Sequence, residues 1–526
     1  MWRQNYFPVG HSLLWSSLVA ALPIAALLYA IGIRRVSAWK SSVLGLAVAA
    51  LVALLAYRMP FPLVLDSAIY GAAFGAFPIF WVIYWAIFLY RMTVDTGKFE
   101  VLKNSIGHLT ADRNLQALLI AFAFGAFLEG AAGFGTPVAV AAAILGGLGF
   151  SAFYAAGICL LANTAPVAFG SLAIPLVTLA ATTGLPIGAL SRDVGRLCAP
   201  VSLFIPSYLV LVMGGPRALR RVWPAALVCG ASFSGMQFLI SNFVGPYLTD
   251  ILSSLAAVVS LVALLQVWSP DGAKRPASQY RLSEIVSAWS PYLLLVGFIL
   301  LWSFHGVNSF LNRPSVIFGW PGLHNAIQQA PPVVAKPVPY AAIYRFRFLA
   351  EAGTACAFAS FAAAPLLRVT PRRFIRLLGE SADQLKYSFV SIVAVLALAF
   401  VMNYSGATAT LGLAFASTGR AFPFFSAMLG WVGVFLTGSD TSSNALFGNL
   451  QQVTANRLGL NPALMASTNS AGGVMGKMIS LQSISVAAAA AGLSAEDEPA
   501  LFRFTLKHSL LLASVIGVLA TVYTYW

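Results

Sequence analysis

The chain has 526 residues, 59% of them hydrophobic and only 9% charged, with a formal net charge of +15. Soluble domains carry about 25% charged residues, so this composition excludes a water-soluble enzyme or binding module and points to a chain solvated by lipid. Nor does the positive balance mark a nucleic-acid binder. The basic residues stand in short clusters between apolar runs: Arg34, Arg35 and Lys40; Arg217, Arg220 and Arg221; Lys274, Arg275 and Arg281; Arg368, Arg372, Arg373 and Arg376.

A helix needs about 20 apolar residues to cross the hydrocarbon. The apolar runs predict spans near 11–33, 41–57, 66–90, 115–128, 151–169, 195–213, 223–245, 250–268, 287–305, 347–366, 386–402, 422–437 and 507–525. The first span starts after ten residues and is followed at once by Arg34 and Arg35, so it is read as a retained helix and not as a cleaved signal. Four further stretches, 129–150, 168–184, 438–456 and 460–491, are apolar but broken by Gly, Pro, Ser and Asn. Irregular backbone at membrane depth survives only against protein or a water-lined cavity, so some of these are expected to be re-entrant hairpins. The expected fold is an all-α polytopic membrane protein of about 12–14 transmembrane elements, with a long extracytoplasmic loop over 306–344.

Lys and Arg accumulate in cytoplasmic loops. Placing all four basic clusters inside makes both termini extracytoplasmic. Within that topology one unit occurs twice: Gly125-Ala-Phe-Leu-Glu-Gly130 and, 308 positions later, Gly433-Val-Phe-Leu-Thr-Gly438. Each is followed by a second matching piece, Asn163-Thr164-Ala165 with Gly170 and Asn469-Ser470-Ala471 with Gly476. The expected repeats are 66–213, with hairpin motif 125–170, and 386–491, with hairpin motif 433–476. Loop parity brings the two copies into the membrane from opposite faces. Such inverted-topology repeats place their broken helices near the bilayer midplane, at a transport site.

The chemistry concentrates in these motifs. Thr136-Pro137 is a helix-start signal, Thr as cap and Pro at the first helical position. Asn444 holds the matching place in the second copy. Helices that start inside the membrane aim free N–H groups and positive dipole ends at a cavity, which suits an anion and especially a carboxylate. The candidate substrate contacts are Gly133, Gly135, Thr136, Asn163, Thr164, Ser442, Ser443, Asn444, Asn469, Ser470 and Lys477. The competing reading is that these small polar residues merely let helices pack closely.

A charge at the bilayer centre costs about 2.5–3.5 kcal/mol even on the lenient insertion scale, so Glu129, Asp440 and Lys477 each need a reason. Glu129 and Asp440 are the candidates for proton coupling. A helix cap for Asp440, and a structural ion pair for Glu129 and Lys477, are the rival readings. Cys159, Cys198, Cys229 and Cys356 lie singly in apolar segments, and His11, His108, His305, His324 and His508 form no ligand cluster. No metal site, cofactor or enzymatic centre is therefore expected.

The strings FLEGAAGFGTPVAVAAAILGGLGF (127–150), NTAPVAFGSLAIP (163–175), FLTGSDTSSNALFGNLQ (435–451) and NSAGGVMGKMISLQSISVA (469–487) resemble the signature segments of the bacterial L-lactate permease family. So do 328–342, 403–424 and 501–509, which extends the likeness over nearly the whole chain. The resemblance implies uptake of L-lactate, and often D-lactate or glycolate, with a proton across the bacterial inner membrane. It also implies a scaffold paired with a moving domain that carries two opposed hairpins. Under that reading Glu129 or Asp440 takes the proton, while the helix starts, Ser442, Ser443 and Lys477 hold the carboxylate. A sodium-coupled carboxylate carrier and an anion channel remain alternatives, and whether the protein forms a homodimer is left open.

Overall fold

The computed structural model describes residues 1–107, 109–133, 135–270, 280–494 and 496–526. Lys274 and Arg275 of the third basic cluster, and His108, lie outside the described residues. The chain is overwhelmingly helical. It opens with α1 (Leu13–Gly32), α2 (Ala38–Leu55), α3 (Phe61–Phe74) and α4 (Trp81–Asp95), the last two joined through a distorted turn at Gly75–Phe80. Then come α5 (Lys98–Gly107) and α6 (Arg113–Gln116), which runs on through Ala117–Phe124 into α7 (Gly125–Ala131). The Asp112 side chain starts this run by accepting from the Asn114 and Leu115 N–H groups, an N-cap that satisfies free donors.

Next are α8 (Thr136–Gly147), α9 (Ala152–Ala162), α10 (Gly170–Thr183), α11 (Ile187–Phe243), α12 (Thr249–Val267), α13 (Leu282–Ser303) and the short α14 (His305–Leu311). The C-terminal half holds α15 (Ala352–Leu366), α16 (Pro371–Ser405), α17 (Ala407–Phe415), α18 (Phe422–Thr437), α19 (Asp440–Leu458), α20 (Pro462–Gly476), α21 (Leu481–Ala491) and α22 (Glu498–Tyr525).

Helix α11 turns back on itself. Gly215 (φ 70°) and Val222 leave helical geometry beside Pro216 and Pro224. Ser191 Oγ then donates to the Ser241 carbonyl (2.8 Å) and Ser234 Oγ to that of Ala199 (2.7 Å), so the two halves lie antiparallel. This is the pair of spans read near 195–213 and 223–245. By length and composition ten described helical stretches can cross a bilayer, or up to twelve if each of two bent pairs, 152–183 and 462–491, is one span. The difference from the expected 12–14 lies in the broken and folded elements. The 57 residues of α11 count once, and Thr136–Gly147 and Ala352–Leu366 are apolar but too short. Leu14, Leu18 and Leu22 on α1, with Leu51 and Leu55 on α2, face outward. Such apolar exteriors are what lipid solvates.

Two faces can be told apart by their contacts. Arg373 pairs with Asp95 (2.5 Å), Arg91 with Glu380 (2.7 Å), and Arg221 with Asp112. The first two pairs clamp the end of α4 to the start of α16, and the third ties the α11 bend to the start of α6. On another side β1 (Trp2–Arg3) and the expected loop over 306–344 meet. The loop contains β2 (Val316–Gly319), β3 (Ile327–Gln329) and β4 (Val338–Pro339), and β5 (Ile343–Phe346) follows it. Trp2 registers with Ile327 in parallel pairing, and β2 pairs antiparallel with β5. The N-terminus and this loop therefore share a face. The small sheets are minor additions to the all-α fold; two- to four-residue strands leave no periodic trace in sequence.

Candidate functional site

Four helices break near one another, and local sequence explains each break. Helix α7 stops at Ala131 because Gly133 (φ 58°) and Gly135 (φ 83°) take left-handed backbone that glycine tolerates. Gly135, and not Thr136, caps α8; Thr136 occupies its first turn beside Pro137. After α9 the chain runs irregularly to α10, where Ser171, Leu172 and Ala173 hold left-handed φ of 46°, 57° and 60°. Left-handed backbone costs a residue with a side chain about 1–2 kcal/mol. Ser171 Oγ anchors this strained turn by donating to the Ala132 carbonyl at the end of α7 (3.0 Å).

The second segment repeats the order. Helix α18 ends at Gly438 (φ 73°), and Ser439 caps α19 by accepting from the Ser442 N–H (3.2 Å). Helix α20 gives way at Gly476 to a tight turn over Lys477–Ile479, and Ser480 caps α21 by accepting from the Ser483 N–H (3.2 Å). The expected start at Asn444 is thus corrected to Asp440, one turn earlier, because the Ser439 cap wins. The segments interlock crosswise: α8 packs on α21, and α10 packs on α19.

All four restarts face one cavity of about 430 Å³. Gly135 of α8, Gly170 and Ser171 of α10, Ser439 to Ser442 of α19, and Gln482 and Ser483 of α21 line it, together with Glu129 and Lys477. Four helix N-termini at one site form a concentration of positive dipole ends. Lys477 adds a full charge; its Nζ donates to the Gly438 carbonyl (2.6 Å) and interacts electrostatically with both Glu129 and Asp440. The cavity mouth includes Ser37, Trp39, Tyr387 and Ser388, next to the Arg34–Lys40 cluster. A second cavity of about 600 Å³ lies at the other end of α10, among Thr182, Thr183, Tyr340, Arg345, Arg347 and Tyr404, beside the small sheets.

The two carboxylates differ in their bonding. Asp440 is 3% exposed; its Oδ2 accepts from Ser470 Oγ (2.6 Å) and Asn444 Nδ2 (3.3 Å), while Oδ1 has no partner. Glu129 is 5% exposed and its Oε2 has no partner. A methyl group at Gly170 would sit 2.6 Å from Glu129 Oε1, so the glycine leaves room for this carboxyl.

Among the expected contacts, Glu129, Gly135, Asp440, Ser442 and Lys477 line the cavity. Ser470 stands behind it, holding Asp440. Asn444 donates to the Pro175 carbonyl (3.1 Å), and Asn469 donates to Asn444 Oδ1 (2.9 Å) while accepting from Gln451 (3.0 Å). These amides tie α19 and α20 together and to α10. Ser443 Oγ bonds the Gly430 carbonyl (3.3 Å) and Thr164 Oγ1 that of Leu161 (2.7 Å), both within the helical packing. Gly133 lies against Ser171, and the buried Asn163 amide interacts with the Glu129 carboxyl. The residues missed were Ser171, Ser439, Gln482, Ser483 and Asp250. Ser439 and Ser480 begin helices in the ordinary capping pattern, a signal present in the sequence.

The L-lactate permease family profile matches residues 16–526. The chain belongs to the L-lactate permease family. It is 44% identical to the L-lactate permease of Bacillus subtilis over 554 aligned positions, covering 98% of this chain and 97% of that one. It is 43% identical to the L-lactate permease of Salmonella typhimurium, covering 100% and 98%, and 42% identical to the glycolate permease GlcA of Escherichia coli K12, again covering 100% and 98%. Permeases of this family are multi-pass membrane transporters and not enzymes.

Proposed function

We propose that this protein imports L-lactate, with D-lactate or glycolate as further substrates, across the bacterial inner membrane in symport with a proton. The observation that carries the reading is the cavity itself, ringed by four helix N-termini, one half-buried lysine and two buried carboxyls. Backbone N–H groups and Lys477 hold the substrate carboxylate. Ser442 and Ser483 supply hydroxyls suited to an α-hydroxy group. The names of the relatives support the substrate class.

Charge explains the proton. One uncompensated charge crossing the membrane is worth about 2.3 kcal/mol per 100 mV, and an inside-negative potential drives a monoanion out. One proton per lactate removes that penalty and lets the pH gradient drive uptake. Glu129 takes the proton, since Asp440 is held by two donors, Ser470 and Asn444, on one oxygen, whereas among the described residues Glu129 meets only Asn163 and its Oε2 is free. After release, the deprotonated Glu129 is balanced by Lys477, so the binding region carries the same charge loaded and empty. The cavities at opposite ends of α10 support alternating exposure of this site, and the matching helix–break–helix order of the two segments supports an inverted repeat.

The test is uptake of labelled L-lactate, D-lactate and glycolate by proteoliposomes, with and without an imposed pH gradient. A gradient of one pH unit is expected to drive about tenfold lactate accumulation. Uptake that follows sodium instead would transfer the same cavity to a sodium-coupled carrier, and non-saturating electrogenic flux would make it a channel.

A further inference from the structure

Asp250 stands in the first turn of α12, 1% exposed, and neither of its carboxyl oxygens has a hydrogen-bond partner. As the second residue of α12 it lies past the N-cap position from which a side chain accepts the free backbone N–H groups, and it makes no such bond. The neighbouring hydroxyls are committed elsewhere. Thr249 Oγ1 donates to the Gly245 carbonyl (3.1 Å), Ser253 Oγ to that of Thr249 (2.5 Å) and Ser254 Oγ to that of Ile251 (2.8 Å).

The position is as telling as the bonding. Asp250 packs against Gly130, the residue after Glu129, so closely that a methyl group on Gly130 would lie 2.8 Å from the Asp250 Cβ. Of the elements packed on α12, α10 and the 117–124 run hold no titratable side chain. Helix α7 contributes Glu129, and α11 contributes Cys198, which faces both Asp250 and Asp440. On α11, Arg192 and Arg196 are engaged electrostatically with Asp193, and Arg196 also donates to Asn242. The positive end of α12 is the remaining favourable field. Glu129, Asp250 and Asp440 thus share the described interior with one ammonium, that of the half-buried Lys477. Three ionised carboxylates would leave two negative charges uncompensated in a lipid-bounded protein.

We infer that Asp250 is a proton-holding site of the transport cycle and passes its proton to Glu129 as substrate binds. In this step the O–H bond at Asp250 breaks and an O–H bond forms on a Glu129 carboxyl oxygen. Asp250 regains a proton from water before the loaded site moves, so the binding region keeps the same charge loaded and empty. The inference rests on the proton-symport reading above, and it gives the otherwise unpartnered Asp250 a function: a reservoir adjoining the substrate-linked acid.

The experiment compares wild type, Asp250→Asn and Asp250→Glu in proteoliposomes, measuring lactate counterflow, pH-driven accumulation and alkalinisation of the medium together. With a gradient of one pH unit, wild type should accumulate lactate about tenfold and D250N should stay near equilibrium. Counterflow, which needs no net proton movement, should persist in D250N, and D250E should restore accumulation. Infrared difference spectra should show a protonated-carboxyl band in wild type that is missing in D250N. Wild-type accumulation and alkalinisation retained in D250N would overturn the assignment. Loss of counterflow along with accumulation would reduce Asp250 to a structural role and overturn it equally. Absence of proton movement in wild type would instead refute the symport reading itself.

Discussion

Ser470 donates a 2.6 Å hydrogen bond to Asp440 Oδ2 and so ties the middle of α20 to the first residue of α19. The bond fixes the carboxylate against the cavity wall while its other oxygen stays unpartnered. Buried hydrogen bonds to charged groups contribute about 1.5–3 kcal/mol, and stranding one partner costs more than removing both.

Ser470→Ala is therefore expected to destabilise the protein by about 1–3 kcal/mol, seen as a lower melting temperature in detergent. Ser470→Thr, which keeps the hydroxyl, should melt close to wild type.

Lys477 is the full positive charge of the cavity, and its only hydrogen bond among the described residues goes to the Gly438 carbonyl. Lys477→Gln should weaken lactate binding by about 10–100-fold, the worth of one charge-assisted hydrogen bond. Titration of lactate binding to the purified protein checks this. Unchanged affinity would place the substrate carboxylate elsewhere.

A Cβ at Gly170 would press on the Glu129 carboxyl at 2.6 Å, whereas one at Gly146 on α8 would meet no atom within 4 Å. Gly170→Ala should cut uptake by about 100-fold, since displacements near 1 Å at a reacting centre have effects of that size. Gly146→Ala should transport normally. Initial rates of labelled uptake in membranes with matched expression distinguish the two.

Ser388 lines the cavity near the Arg34–Lys40 cluster, and Thr183 lines the one beside the small sheets. The native cysteines are all buried, which favours a low background for thiol labelling. Impermeant thiol reagents should reach Ser388→Cys from one side of the membrane and Thr183→Cys from the other, with lactate altering both rates. Labelling of both from one side would contradict alternating exposure along α10.

Much of this organisation is legible in the sequence because its causes are local. Left-handed turns need glycine, so Gly133, Gly135 and Gly438 mark the breaks. Lipid demands apolar runs, so the spans stand out. What stays hidden depends on three-dimensional packing. Nothing local separates Asn444 and Asn469, which bridge helices, from Ser442, which lines the cavity; the difference lies in which face of α19 meets α20. Leu172 and Ala173 give no hint of left-handed backbone, because residues of those types rarely adopt it. Asp250 is invisible as a partner of Glu129 because Gly130 brings them together across more than a hundred residues.

The central claim is that a carboxyl beside the substrate couples lactate to the proton. Its most direct test is pH-driven lactate accumulation in proteoliposomes carrying Glu129→Gln or Asp440→Asn, with the membrane potential clamped. The account predicts that wild type accumulates lactate about tenfold for one pH unit. Glu129→Gln should only equilibrate it, while still exchanging lactate across the membrane. Full pH-driven accumulation in Glu129→Gln would contradict it.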